Sequence, residues 1–135
     1  MNRLSVIFTS PGQVSVSEEA LPEMAPDQVL VQTLYSAISP GTELLVYRGQ
    51  FPQDLPVDES IPSLEGEFRY PLRYGYSAIG RVVAVGSLVE PGWEWRLVFA
   101  FQPHTSAFHD KLRRDNSLYL PDNWNHRFTP YHLKL

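Results

Sequence analysis

The chain has 135 residues, a formal net charge of −4, 43% hydrophobic and 19% charged residues. That length supports one domain able to bury roughly two-thirds of its unfolded surface. The acidic balance excludes a basic nucleic-acid or anionic-membrane surface, and the absence of cysteine excludes disulfides, thiolate catalysis and Cys-based zinc sites. The first apolar run, residues 4–8, is too short for a membrane span or a signal peptide, so a soluble, cytoplasmic protein is expected.

Twelve prolines and eight glycines leave no room for a long helix, and Val, Ile, Tyr, Phe and Thr fill the intervals, so a mostly β protein is expected. Residues 3–9 read as a first strand, Pro11-Gly12 as a tight turn, and residues 13–19 as its partner, with Val14 and Val16 on one face and Ser15 and Ser17 on the other. Residues 28–38 form the next strand; apolar groups at alternate positions on both faces mark it as central.

That strand leads into S-P-G-T, residues 39–42, whose turn chemistry places small polar groups at a sheet edge. Thr42 is positioned to cap a short helix over residues 43–47, its hydroxyl accepting a backbone N–H of the first turn. Residues 49–74 carry Pro52, Pro56, Pro62 and Pro71 together with Asp54, Asp58, Glu59, Glu65 and Glu67; they read as a long surface loop, either a solvated insertion or a flap over a binding cleft.

Residues 75–87, G-Y-S-A-I-G-R-V-V-A-V-G-S, carry a β-branched strand, and Gly80 within it points to a bulge or a close backbone approach. Residues 96–101, 107–112 and 117–120 complete the β pattern. There is no G-x-S-x-G for a hydrolase. Of the four histidines, His104 and His109 are five apart and fall on opposite faces of a regular strand, and His126 and His132 have no nearby acid at ligand spacing, so no metal is expected on them.

Taken together, Q-V-L-V-Q-T-L-Y-S-A-I-S, Y-P-L-R-Y-G-Y-S-A-I-G-R-V-V-A-V-G-S and E-W-R-L-V-F resemble the N-terminal catalytic domain of the medium-chain dehydrogenase/reductase superfamily. The S-x-G-T-E flavour, with G-Y in place of G-H, is most similar to the bacteriochlorophyllide-type dehydrogenases and allied zinc-free members. The resemblance implies a GroES-like, partly open β-barrel with short helices over residues 1–122, followed by a tail, residues 123–135, that does not resemble the family. Where zinc-dependent members place Cys, His and Glu, this chain has Ser39, Tyr76 and Ser77, and hydroxyls are poor zinc ligands. A zinc-free member would polarise a carbonyl with hydrogen-bond donors instead.

By resemblance, Ser39, Thr42 and Tyr76 are the candidate catalytic residues, with Tyr47, Arg48 and Ser77 facing substrate or cofactor. As turn, cap and packed-aromatic residues, Ser39, Thr42 and Tyr76 also have purely structural readings. The family implies NAD(P), but these 135 residues contain no G-x-G-x-x-G, and the stretch after Asp122 is shorter than the roughly thirty residues of one βαβ unit.

The expectation is therefore the substrate-binding domain of a dehydrogenase, inactive alone and lacking its Rossmann domain. That domain would be supplied by a separate chain, or the sequence is the remnant of a truncated gene with a newly read tail. The alternative is a non-enzymatic small-ligand or assembly module on the same barrel. An uncovered cleft face predicts a homodimer.

Overall fold

Frequent prolines and glycines break the chain into short extended runs. The computed structural model, which describes residues 1–50, 69–112, 119–120 and 132–134, is assembled from these runs. β1 (Asn2–Ser10) and β2 (Gln13–Ala20) form an antiparallel hairpin turned at Pro11 and Gly12, with Gly12 at φ 75°. β3 (Gln28–Ala37) leads through a turn into the short helix α1 (Thr42–Arg48). β4 (Ala78–Val85), β5 (Leu97–Ala100), β6 (Ala107–Lys111), β7 (Tyr119–Leu120) and β8 (His132–Lys134) complete the β structure.

The main sheet runs β6-β3-β4-β5-β7, with β8 also paired to β3, and every pairing among the described residues is antiparallel. The two sheets do not seal into a closed barrel, as the partly open GroES-like architecture requires. The expected strands are found close to their sequence bounds. β8 lies in the tail, which carries no strand signal in its residues, and pairs with the last residues of β3. Most of the acidic, proline-rich stretch, residues 51–68, lies outside the described residues.

β3 is central because both of its edges are used. β4 lies along one edge, while β6 and then β8 follow each other along the other. Val29, Val31, Ala78, Val82, Val98, Ala100 and Phe108 make the main core beneath it. The β3–β4 ladder slips between Thr33 and Tyr35, where two steps on β3 face one on β4. Ahead of the slip Val29, Val31 and Thr33 are buried; beyond it the inward parity moves to Ser36. A bulge thus turns a serine into the interior.

Gly80 answers the close-approach expectation. A Cβ there would lie 2.4 Å from Val31 Cγ1 and 2.5 Å from the Gln32 carbonyl oxygen. Only a residue without a side chain lets β4 approach β3 at this point.

The hairpin is fastened to the rest of the fold along β1. Val6 N–H donates to the His104 carbonyl, Ser106 N–H to Leu4, and Phe8 exchanges backbone bonds with Leu72. On β2, the Glu19 carboxylate accepts a bidentate bond from Arg73 and another from Arg3. The Arg73 hydrogen bonds hold the Glu19 carboxyl below the usual carboxylate range, against a smaller opposing effect of burial.

Gly80→Ala should lower stability by about 1–3 kcal/mol in urea denaturation. Gly92→Ala, where nothing lies within 4 Å of the added Cβ, should stay within about 0.5 kcal/mol. Because the folded Glu19 carboxyl titrates below the unfolded one, its stabilisation is complete above about pH 4.3 and is lost as pH falls through the folded value. Arg73→Ala should cost less than about 1 kcal/mol at neutral pH, since the pair is partly exposed, and should flatten this acid-side decline in a pH series of urea melts.

Candidate functional site

α1 does not begin as the sequence implies. Thr42 is its first residue, Gly41 occupies the cap position, and no side-chain hydroxyl caps it. The job falls to Glu43, whose carboxylate folds back to accept the Ser39 backbone N–H while its own N–H donates to the Ser39 carbonyl at 3.1 Å. A glutamate reaching back over the turn satisfies a donor ahead of the helix, so the Thr42 hydroxyl is not needed there. The helix stops at Gly49, whose φ of 68° is left-handed and whose N–H closes on the last turn.

Glu43 is 4% exposed, as is His104, and Ser36 is wholly buried. The three form one hydrogen-bonded row: His104 Nε2 donates to Glu43 Oε1, and His104 Nδ1 bonds Ser36 Oγ. With a carboxylate on Nε2, that nitrogen carries the hydrogen. The neutral ring then accepts the Ser36 hydroxyl at Nδ1, and the imidazolium donates to Ser36 Oγ.

Three elements set this row. The β3 bulge turns Ser36 inward, the bonds of β1 to residues 104–106 hold the His104 backbone, and α1 brings Glu43. The Ser–His–Glu order looks like a nucleophilic triad, but Ser36 has no exposed surface and its strand is paired on both edges, so no substrate reaches its oxygen.

Glu43 and His104 floor a cleft of about 420 Å³ between the hairpin and α1. Val6, Phe8, Val14 and Val16 form the hairpin wall, and Ile38, Leu44 and Tyr47 the opposite wall. The Tyr47 hydroxyl is engaged with the Gly12 carbonyl at 2.9 Å, bracing the helix against the hairpin turn. Val14, Val16, Ile38, Leu44 and Tyr47 keep much of their surface exposed, so the cleft is apolar at its mouth and polar at its floor. This volume lies in the range of small-molecule sites.

Of the residues expected at a site, Tyr47 lines the cleft; Ser39 meets it only through its backbone bond to Glu43. Thr42 begins the helix and Arg48 ends it, exposed. Tyr76 packs on the Phe8, Val46 and Tyr74 cluster, edge-on to Tyr74 with ring centroids 6.3 Å apart. Ser77 gives its carbonyl to the Ala37 N–H. The sequence reading missed Glu43, His104 and Ser36 as a set. His104 stands 61 residues from Glu43 and 68 from Ser36, and no spacing rule joins such partners.

The donor set does not suit zinc. Ser39, Tyr76 and Ser77 offer hydroxyls, and both ring nitrogens of His104 are already engaged. Among the described residues no group of three or more histidines and acids could hold a metal ion. Among the described residues every strand pairing is antiparallel, so no parallel βαβ unit of the kind that offers a pyrophosphate a helix start is seen there. Among the described residues no helix is long and apolar enough to cross a membrane.

No family model matches the chain. It is 36% identical over 83 residues to 2-desacetyl-2-hydroxyethyl bacteriochlorophyllide A dehydrogenase of Cereibacter sphaeroides, a match covering 62% of this chain and 23% of that protein. Among solved structures, an alcohol dehydrogenase superfamily protein from Novosphingobium aromaticivorans superposes with a TM-score of 0.67 at 21% identity, over 93% of this chain and 36% of the other. A protein assigned as an NADPH:quinone reductase from Bacillus thuringiensis superposes with a TM-score of 0.62 at 18% identity, over 90% of this chain and 34% of the other. The fold is the partly open GroES-like architecture shared with these structures, and the chain spans only about a quarter to a third of the three proteins named.

The buried row makes a stability prediction. His104→Ala leaves the Glu43 carboxylate buried without its partner and should cost about 3–5 kcal/mol in urea denaturation. Ser36→Ala should cost about 1–3 kcal/mol. The double variant should be no worse than His104→Ala alone, because the two residues act through one contact.

Proposed function

We propose that this chain is the substrate-binding domain of a zinc-free, NAD(P)-dependent oxidoreductase that interconverts a carbonyl and a hydroxyl on an apolar small molecule. The cofactor would be carried on a Rossmann-type domain outside these 135 residues. The observation that carries the reading is a cleft with apolar walls and a buried carboxylate–imidazole floor, set in a fold shared with reductases and dehydrogenases. Conjugated carbonyls on apolar bodies, such as the quinones named for one structural neighbour, are the proposed substrate class.

In this reading the chain's own residues bind, orient and exclude water. The valines of the hairpin and Leu44 surround the apolar body, Tyr47 keeps helix and hairpin apart at a fixed width, and Glu43 with His104 meets the oxygen end in its hydroxyl form. By resemblance, the hydroxyls of Ser39, Thr42 and Tyr76 are proposed to polarise a carbonyl, and Arg48 and Ser77 to face the cofactor.

A second reading, a ligand-binding module without redox chemistry, is favoured by the wholly antiparallel topology of the described strands. Titration with 2-methyl-1,4-naphthoquinone, then with NADPH and NADH, followed by calorimetry and nicotinamide fluorescence, separates the two. The oxidoreductase reading expects saturable quinone binding and weak, saturable binding of at least one nicotinamide that strengthens when quinone is present. Quinone binding with silent nicotinamides supports the module, and silence throughout removes both.

A further inference from the structure

The hydrogen-bonding capacity at the floor of the cleft is one-sided. His104 has two ring nitrogens, and both are taken, one by Ser36 and one by Glu43. Glu43 accepts two bonds, from the Ser39 N–H and from His104, whereas an ionised carboxylate has about four acceptor sites. Near the mouth, the Tyr47 hydrogen is committed to the Gly12 carbonyl, and Ser15 sits on an exposed strand away from the buried floor. Among the side chains at the buried end, what remains unfilled is acceptor capacity, and it belongs to one carboxylate.

We infer that the cleft selects apolar molecules bearing a neutral hydroxyl, whose O–H donates to the free acceptor sites of Glu43, over the corresponding ketones and ethers. A carbonyl or ether oxygen brought against Glu43 and His104 finds no free side-chain donor there and leaves its hydration behind without that replacement. An ammonium group has donors, but the apolar walls strip its hydration shell, and Glu43 already has a hydrogen-bonded imidazole beside it. The inference rests on the proposed oxidoreductase cleft and deepens it: of the two redox partners, the hydroxyl form is the one held at Glu43.

The test uses the intact chain and four probes with one ring system: 2-naphthol, 2-methoxynaphthalene, 2-acetonaphthone and 2-naphthylmethylamine, titrated by calorimetry. The expected result is 2-naphthol binding roughly tenfold or more tighter than the ether and the ketone, as a hydrogen bond to a charged acceptor provides, and tighter than the amine. Glu43→Gln, which replaces one acceptor oxygen by a donor, should erase most of that preference. Val16→Lys, at a rim position 66% exposed, should abolish binding of all four without disturbing the core.

Equal binding of naphthol and its methyl ether overturns the inference while leaving the apolar cleft, and the function proposed for it, in place. Tightest binding of the amine overturns it in favour of a cation site. Naphthol binding unchanged by Val16→Lys places the site elsewhere and overturns it too, and no binding by any probe removes the cleft as a ligand site. If Glu43→Gln does not fold, the His104 ring resonances of the native chain decide. Naphthol should shift them and the ether should not; equal shifts overturn the inference.

Discussion

The contact between the Glu43 carboxylate and the His104 imidazole ties together parts of the chain that share no strand pairing. α1 follows β3 in sequence but belongs to neither sheet, and His104 lies in the link between β5 and β6. A carboxylate at 4% exposure is unfavourable unless donors surround it. Here two donors do, one from the turn ahead of the helix and one from the ring. The same contact that fixes the helix therefore fixes the floor of the cleft, and the width of the cleft follows from where the helix is held. The Phe8, Val46 and Tyr74 cluster packs beneath that helix and supplies the apolar half of the same constraint.

β3 makes the arrangement possible by changing parity. Had its ladder with β4 run without the slip between Thr33 and Tyr35, Ser36 would lie on the face opposite Val29, Val31 and Thr33. The Nδ1 side of His104 would then face the core without a partner. Gly80 lies directly opposite Thr33, at the slip, and its lack of a Cβ lets the two strands close there. A backbone irregularity in one ladder thus sets the hydrogen bonding of a side chain reached from another part of the chain.

Much of the fold was legible because its signals are local. β-branched runs bounded by proline and glycine locate the strands, the Pro11-Gly12 turn closes the hairpin, and Gly80 announces the close approach. Ser39, Pro40, Gly41 and Thr42 mark the turn into α1, although Glu43 rather than Thr42 completes its start. The site was less legible. A bulge leaves no residue signature in β3, so the inward turn of Ser36 cannot be read from the alternation of Val29, Val31 and Thr33. His104 carries no motif that points to a glutamate on a helix before it. β8 is silent for another reason: an edge strand of three residues pairs through its backbone, and its sequence has no period to display.

Stability alone does not account for the row of Glu43, His104 and Ser36. Buried ion pairs and their neighbours rarely gain more from their attraction than they lose by leaving water, and apolar residues of similar volume often serve a core as well or better. The Phe8, Val46 and Tyr74 cluster shows that this chain can seat α1 on apolar contacts next to the same cleft. What the polar row provides and an apolar one would not is direction. It holds a carboxylate rigidly, satisfies part of its accepting capacity from within, and leaves the remainder facing an apolar chamber. A group prepared in this way would cost little to reorganise on binding a ligand, which is what the proposed role asks of it.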